Sequence, residues 1–449
     1  MADLTVDDLV ALDRAHVIHP LHNPAGSPVV LVSGEGCVVT DSEGRQFIDG
    51  LSQLWNVNVG HGRGELAEAA ADQMSRLAFA SNYQGQANIP AIELAEKLTE
   101  ISYPGIRSVF FSSGGAESNE SAFKLARSFW KIAGKPGKVK IISRRWAYHG
   151  VTIAAMSATG MATYHTQFEP LAPGFLQIEP PYWYQWDQRG TPEECGAWAA
   201  DQLEQAILRE GPDTVAAFIA EPVQGAGGVI VPPDGYFQRV REICDRHDVL
   251  LIADEVITGF GRTGRMFALD HWGIEPDIVS FAKGVTSGYV PLGGIMLGTR
   301  VDEALRSLPA ETAWMHAYTY SGHPTSCAVG LANVRIIERE GLVERAADRG
   351  ARLLRGFKDL ESLPIVGEAR GLGLMAAVEL TADKASRAAF PASEKVGTRV
   401  LAAARKRGVM FRNRGDVLEA APPLMIDEQQ VDRMIEVMGE SIREVAAEL

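Results

Sequence analysis

Three short apolar runs in the middle of the chain each stop at a single charged side chain, and this feature constrains the fold most. The runs and the residues that end them are 214–220 and Glu221, 249–253 and Asp254, and 278–282 and Lys283. Apolar runs separated by helical patterns are typical of buried strands in a parallel sheet. Ligands bind beyond the carboxyl ends of such strands, so we expect the three charged groups to share one binding edge.

Lys283 and Asp254 together suggest a specific chemistry. Lys283 ends an apolar run and precedes Gly284, so it need not be solvated like a surface lysine. A desolvated lysine readily forms a Schiff base, and a carboxylate keeps the ring nitrogen of pyridoxal 5'-phosphate (PLP) protonated. However, an Asp at a strand end is commonly a helix cap, and a lysine after a strand is commonly solvated. These two residues alone leave both interpretations open.

The length and net charge of the chain limit the classes of protein to which it can belong. With 449 residues, the chain can form one large α/β domain and a smaller one. Its net charge of −14 argues against a general binder of nucleic acid or acidic membranes. No apolar run is long enough to span a membrane, and the acidic start is unlike a secretory signal, so we expect a cytoplasmic protein. The four cysteines form no CxxC pair and predict neither a metal site nor a disulfide framework.

The pattern of elements predicts two domains of an α/β protein. Residues 1–55 form a small antiparallel meander with little core of its own. Residues 56–335 alternate strands with helices and predict a large domain with a mostly parallel sheet between helices. Residues 336–449 form a compact α+β segment, which we expect to complete a small domain with 1–55. The Pro- and aromatic-rich stretch 170–190 is interpreted as irregular.

A loop of small residues between a strand and a helix is a candidate phosphate site. Residues 112–119 read Ser-Ser-Gly-Gly-Ala-Glu-Ser-Asn and open a helix. Backbone N–H groups and the helix dipole can hold a phosphate there, although a small-residue N-cap explains the motif almost as well. The loop is neither GxGxxG nor a Walker motif. A nicotinamide-dependent dehydrogenase is disfavoured, because no GxGxxG in the sequence opens a βαβ unit with an acidic residue about 20 positions further on.

Six motifs, in order along the chain, resemble class III (omega) aminotransferases of PLP fold type I. The resemblance covers nearly the whole chain and is strongest to the amine:pyruvate and β-alanine:pyruvate branch. It implies a ping-pong transaminase that moves an amino group from a primary amine or omega-amino acid to pyruvate or a similar keto acid. The motifs are 113–119, 148–150, 221–225, 254–256, 283–284 and 320–324.

The resemblance also implies a role for each matching residue. Lys283 would carry PLP as the internal aldimine and move the substrate proton, and Asp254 would pair with the pyridine nitrogen. Gly115 and Ala116 would bind the phosphate through backbone N–H groups, although the family often has Ser or Thr at the position of Ala116. The other cofactor contacts would be Tyr148 on one face of the ring, Val256 on the other, Gln224 near the ring hydroxyl, Glu221 at the same edge, and Thr319 at the phosphate of a neighbouring subunit.

Substrate binding is expected to use an arginine and aromatic walls. Arg412 lies where this branch carries a mobile carboxylate-binding arginine, and Arg414 competes for the role. Trp55 and Tyr148 would be pocket walls, and Glu221 could neutralise a retracted arginine or be structural. The role of Thr319 implies a homodimer, with tetramers left open.

Two rival interpretations remain at this stage. An aminomutase or racemase on the same scaffold would retain the amino group and need no external keto acid. A ligand-binding relative could have kept the fold and lost catalysis, although the presence of both Lys283 and Asp254 argues against it.

Overall fold

The computed structural model describes residues 5–21, 28–83, 85–187, 190–309 and 311–449. The helices of these residues are α1 (Val6–His16), α2 (Ser52–Trp55), α3 (Gly64–Leu77), α4 (Ile89–Ile101), α5 (Gly115–Ile132), α6 (Ile153–Ala158), α7 (Pro192–Glu210), α8 (Tyr236–Arg246), α9 (Thr299–Arg306), α10 (Pro324–Arg339), α11 (Leu342–Asp359), α12 (Val396–Lys406) and α13 (Glu428–Ala446). The strands are β1 (Leu31–Glu35), β2 (Val38–Asp41), β3 (Gln46–Asp49), β4 (Ile106–Ser112), β5 (Lys140–Arg144), β6 (Phe175–Ile178), β7 (Val215–Ala220), β8 (Leu250–Asp254), β9 (Ile278–Phe281), β10 (Gly293–Gly298), β11 (Val366–Gly371), β12 (Ala376–Leu380), β13 (Val409–Met410), β14 (Arg412–Arg414) and β15 (Val417–Ala420).

The large domain is built on a seven-stranded sheet with the order β4-β10-β9-β8-β7-β5-β6. All neighbouring strands are parallel except β10, which runs antiparallel to both β4 and β9. In β8, Leu251 and Ala253 pack in one apolar cluster, while Leu250 and Ile252 pack in another on the opposite face. Because both faces are buried, the strand reads as an unbroken apolar run. The expected mostly parallel sheet is confirmed.

The three charged groups meet at one edge of this sheet because β7, β8 and β9 are direct neighbours. Ala220, the last residue of β7, pairs with Ala253, and Asp254 pairs with Ser280 of β9. Glu221 and Lys283 follow within two residues of these strand ends. The shared edge expected from the sequence is therefore present.

Both chain ends contribute to the smaller sheets. The meander β1-β2-β3 is extended by β13 from the C-terminal part, which runs parallel to β3 with Val409 opposite Ile48. A second four-stranded sheet has the order β11-β12-β15-β14 and carries Arg412 and Arg414 on its edge strand. The separate smaller sheet domain is thus as expected, whereas the boundaries proposed at 55/56 and 335/336 stay predictions.

The stretch 170–190 is not wholly irregular, which corrects the sequence interpretation. Phe175–Ile178 form β6, which pairs in parallel with β5 at the edge of the large sheet. The strand has only four residues and lies between prolines, so it gives no pattern long enough to recognise. Across the described ranges, no helix has both the length and the apolar character needed to cross a bilayer.

Candidate active site

Lys283 lies just past β9 in a constrained turn. Its φ of 48° belongs to the left-handed region, which side-chain-bearing residues rarely adopt and which clusters at functional sites. Asn333 of α10 fixes this turn, because its Nδ2 donates to the carbonyls of Gly284 at 2.8 Å and Val285 at 2.9 Å. A Cβ at Gly284 would lie 2.6 Å from Asn58 Nδ2, so only glycine fits after the lysine.

The surroundings of Lys283 disfavour its charged form. Burial lowers the pKa of Lys283 to about 8, because the ammonium group loses its hydration. The carboxylates of Asp254 and Glu221 oppose part of this shift, and the charge of Arg412 adds to it. A large fraction of this lysine is therefore neutral and nucleophilic near pH 8.

Asp254 is a buried carboxylate that is held on one oxygen and accessible on the other. Its side chain is 3% exposed. Oδ2 accepts a hydrogen bond from Asn119 Nδ2 at 2.8 Å and lies 2.7 Å from His149 Nδ1. Among the described residues, Oδ1 accepts only from the N–H of Val256, at 3.1 Å. Because a carboxylate oxygen can accept two hydrogen bonds, Oδ1 keeps capacity for one more donor.

The start of α5 offers an anion site beside these two residues. Gly115 and Ala116 are the first residues of α5 and line the same cavity as Lys283 and Asp254. No side chain caps this helix end, so its first N–H groups and the helix dipole are available to an anion. A Cβ at Gly115 would lie 2.8 Å from Val256 Cγ1. Glycine therefore keeps a gap open between the helix and Val256.

Glu221 positions the aromatic wall of the cavity. Its carboxylate is 3% exposed and accepts the backbone N–H groups of Tyr148 at 3.0 Å and Gly225 at 2.9 Å. Burial is the main reason that the pKa of Glu221 is raised. The Tyr148 ring lines the cavity with its centroid 5.3 Å from that of Tyr164. Glu221 thus connects the end of β7 to the loop that carries Tyr148.

The cavity has a volume of about 190 Å³ and gathers most of the predicted site. Leu54 and Val151 lie at its mouth and are 57% and 56% exposed, whereas Ile257 forms part of its buried wall. The lining residues are Leu54, Gly115, Ala116, Asn119, Tyr148, His149, Gly150, Val151, Glu221, Asp254, Val256, Ile257 and Lys283.

Four predicted residues do not line this cavity, and they are Gln224, Trp55, Thr319 and Arg412. Gln224 is fully buried, and its side-chain nitrogen donates to a backbone carbonyl at 2.9 Å. Trp55 is 1% exposed and packs in an apolar cluster, while the preceding Leu54 reaches the cavity instead. Thr319 is exposed on a loop of its own chain. Cofactor contacts by Gln224 and Thr319 and substrate contact by Trp55 stay predictions.

The two candidate arginines of β14 have different surroundings. Arg412 Nε lies 3.6 Å from Glu419 Oε2, and the Arg412 charge acts on the pKa of Lys283. The guanidinium carbon of Arg414 lies 4.5 Å from the centroid of the Trp146 ring, and Arg414 lines a different cavity. The charge of Arg412, and not that of Arg414, contributes to the pKa shift of Lys283, and the assignment of a carboxylate-binding role to Arg412 stays a prediction.

Three residues with structural roles at the site were missed by the sequence reasoning. Asn119 and His149 lay within the quoted motifs but were assigned no contact with Asp254. Asn119 lies four residues after Gly115 on α5, a helical spacing that could have placed both on one face. His149 follows β5 and so reaches the same sheet edge. Asn333 lies inside α10 and gave no signal.

The residues present fit PLP. A desolvated lysine suits its aldehyde, the free capacity of Asp254 Oδ1 suits a protonated ring nitrogen, and the uncapped start of α5 suits a phosphate. Within the described chain, the buried Asn119 Oδ1 and His149 Nε2 also have no hydrogen-bond partner. The cavity therefore offers polar groups that protein contacts do not use.

Comparison with known proteins agrees with this geometry. The family model for aminotransferase class-III matches residues 22–442. The chain is 41% identical over 443 residues to a putrescine–pyruvate aminotransferase of Pseudomonas aeruginosa, covering 97% of this chain and 96% of that one. It is 42% identical over 445 residues to a diaminobutyrate–2-oxoglutarate transaminase of Halomonas elongata, covering 96% and 95%.

Solved structures give the same result. A thermostable (S)-enantioselective omega-transaminase from Thermomicrobium roseum superposes with a TM-score of 0.96 at 49% identity, covering 98% of this chain and 99% of that one. The omega-transaminase from Pseudomonas jessenii in complex with PMP (the aminated form of PLP) superposes with a TM-score of 0.95 at 39% identity, covering 98% of each chain. The chain therefore belongs to the class-III aminotransferases and is a PLP-dependent enzyme.

Proposed function

We propose that this chain is a cytoplasmic omega-transaminase that moves an amino group from a primary amine or omega-amino acid to pyruvate or a similar small keto acid. One observation carries the proposal. The charge of Arg412 helps to lower the pKa of Lys283, and Arg412 Nε lies 3.6 Å from the buried Glu419 without a hydrogen bond to it. A guanidinium held in this way can bind a substrate carboxylate in one half-reaction and withdraw in the other.

Lys283 supplies the nucleophile and carries the proton. With a pKa of about 8, its Nζ is often neutral at physiological pH and can attack a carbonyl carbon. Once the incoming amine has released Lys283, its Nζ can take a proton from the substrate carbon and return that proton at a second carbon. The turn fixed by Asn333 keeps Nζ at the sheet edge through both steps.

Asp254 and the start of α5 would hold the cofactor on either side of Lys283. Bound PLP supplies an electron sink for the charge left when the substrate loses its proton. Asp254 would hold a proton at the ring nitrogen, and Asn119 and His149 keep its carboxylate oriented. Gly115 and Ala116 would bind the phosphate through backbone N–H groups.

The walls of the cavity favour an apolar substituent on the amine. Leu54, Val151 and Ile257 present hydrocarbon, and Tyr148 presents an aromatic ring. Burial of a substituent against these groups gains about 25 cal/mol per Å² of apolar surface. The related putrescine–pyruvate aminotransferase and the omega-transaminase structures support an amine donor and pyruvate.

We propose a homodimer in which Thr319 reaches the cofactor phosphate of the partner subunit. Thr319 is exposed and lies on a loop beside Tyr320, which is 58% exposed. The Tyr320 ring packs 6.2 Å from that of Phe79, which is 45% exposed. Clustered exposed aromatic side chains are typical of an interface between protein chains.

The test is a visible absorbance spectrum of the purified holoenzyme. Addition of β-alanine or 1-phenylethylamine without a keto acid should bleach the yellow band, and pyruvate should restore it. A band that bleaches and returns without any keto acid would instead support an aminomutase or racemase. No response to any amine would contradict the proposed function.

A further inference from the structure

A second cavity next to the active site contains Arg414, which forms no ion pair with any residue that the structure describes. The cavity has a volume of about 770 Å³. It lies where the loop after β5, the segment 179–187, the loop around 387–398 and the β14–β15 hairpin meet. Its walls combine aromatic side chains with charged ones, and they include Trp146, Tyr182, Tyr184, Trp198, Phe390 and Arg414.

The Arg414 guanidinium carbon lies 4.5 Å from the centroid of the Trp146 ring, and the Arg414 charge acts on the buried Glu419 without a direct contact between the two side chains. Within the described part of the chain Arg414 makes no ion pair, and its buried Nε has no hydrogen-bond partner. Arg370 lies beside it at Gly228, where an added Cβ would be 3.1 Å from Arg414 Nη2 and 3.3 Å from Arg370 Nη2. Two neighbouring guanidinium groups favour an anion between or beside them.

Arg370 cannot serve this anion because its donors are already used. It donates to Glu368 and Glu379, both at 2.6 Å, and to the hydroxyl of Tyr182 at 2.7 Å. The two adjacent arginines therefore differ in charge balance. Arg370 is neutralised by carboxylates. Arg414 is half-buried, and its planar guanidinium can still donate two hydrogen bonds to one anion.

The carboxylates of this cavity do not fill the role of counter-ion to Arg414. Glu379 is bound by Arg370, and Glu179 is bound by Arg145 at 2.7 Å. Asp416 accepts the N–H of Gly397 at 2.9 Å. Asp187 lies on the exposed rim.

The loop after β5 lines both cavities, whereas β14 contributes Arg414 to the second cavity and Arg412 lines neither. Arg412 and Arg414 are alternate residues of β14, so they lie on the same side of the strand, about 7 Å apart. Arg412 acts on Lys283, whereas Arg414 lines the second cavity. Tyr148 lines the first cavity, and Trp146, two residues earlier, lines the second.

We propose that Arg414 and Trp146 form a subsite for a second carboxylate of the substrate. The preferred keto or amino acids would then be dicarboxylic, with one carboxylate at Arg412 and the distal one at Arg414. This inference rests on the proposed function, since it extends the carboxylate site of Arg412. A monocarboxylate such as pyruvate uses Arg412 alone.

The test compares Arg414→Met with Arg387→Met in the holoenzyme. Arg387 lines the same cavity, but its guanidinium already donates to the carbonyls of Trp183 at 3.3 Å and Tyr184 at 3.0 Å. Arg414→Met should lower the ratio of kcat/KM for 2-oxoglutarate to kcat/KM for pyruvate at least tenfold. Arg387→Met should change this ratio less than twofold. Equal ratios in both variants would overturn the proposal.

Binding without turnover gives an independent readout. Wild-type holoenzyme should bind glutarate at least tenfold more tightly than pentanoate in calorimetry, and Arg414→Met should reduce the preference to below threefold. Arg414→Lys, which keeps the charge without the fork, should retain an intermediate preference. Absence of a glutarate preference in an enzyme that transaminates pyruvate would refute the subsite alone. Failure with every keto acid and amine would refute the proposed function.

Discussion

Arg412 Nε lies 3.6 Å from Glu419 Oε2, and the two residues are directly paired across β14 and β15. Glu419 is fully buried, and neither of its carboxylate oxygens has a hydrogen-bond partner in the described residues. Burial raises the pKa of Glu419 to about 7, although the charges of Arg412, Arg414 and Arg370 oppose the shift. The carboxyl group paired with Arg412 is therefore only partly charged near pH 7.

This pair predicts a pH dependence of keto acid binding. Glu419 is charged above its pKa of about 7 and competes with the substrate carboxylate for Arg412. Below that pH it is neutral and the competition ends. The KM for pyruvate in the wild-type enzyme should therefore fall several-fold between pH 8 and pH 6. Steady-state kinetics with a fixed amine will measure the change.

Glu419→Gln separates this effect from the titration of Lys283. The variant keeps the shape of the side chain and removes its charge, so its KM for pyruvate should already be low at pH 8 and vary little down to pH 6. A Gln variant with the wild-type pH profile would show that Glu419 does not control Arg412.

Lys283→Arg should abolish transamination. Arginine keeps a positive charge but stays protonated and cannot attack a carbonyl carbon. Loss of the proton-transferring group alone typically lowers the rate about 10²–10⁴-fold, and loss of the covalent step adds to this. Stopped-flow absorbance with 1-phenylethylamine should show no bleaching. Measurable turnover above a small fraction of the wild-type rate would contradict the assigned role.

Asp254→Asn should lower kcat and weaken cofactor retention. An amide can no longer keep a ring nitrogen protonated, so the electron sink is lost. The matched control is Glu255→Gln, because the adjacent Glu255 is also buried but binds Tyr103 and the backbone of Ala268 instead. Measurements of the melting temperature and of kcat should distinguish Asp254→Asn from Glu255→Gln. The control should change mainly the melting temperature, and a similar loss of kcat in both variants would argue against a specific role for Asp254.

Gly115→Ala should weaken PLP binding by closing the gap at the start of α5. The added methyl group would lie 2.8 Å from Val256 Cγ1 and displace Val256, which lines the cofactor cavity. Titration of apoenzyme with PLP should show a Kd at least several-fold higher. Val256→Ala in the same chain should restore part of the affinity, because it removes the clashing carbon. Additive effects of the two substitutions would rule out this steric explanation.

The sequence by itself determined which strands are buried and where their charged ends lie. The unbroken apolar runs of β7, β8 and β9 require helices on both faces of the sheet, and this places Glu221, Asp254 and Lys283 at one edge. The small residues at the start of α5 were likewise readable from a local motif, whereas Arg412 was singled out only by the resemblance to class III aminotransferases. The strand β6 escaped detection because its four residues carry no periodic pattern.

Only the tertiary structure decided how these groups are held and what surrounds them. The contacts of Asp254 with Asn119 and His149, and of Lys283 with Asn333, join residues far apart in sequence. The different surroundings of Arg412 and Arg414 were also tertiary, since both residues lie on one strand. Such differences arise from packing between distant segments, and no local pattern in the sequence encodes them.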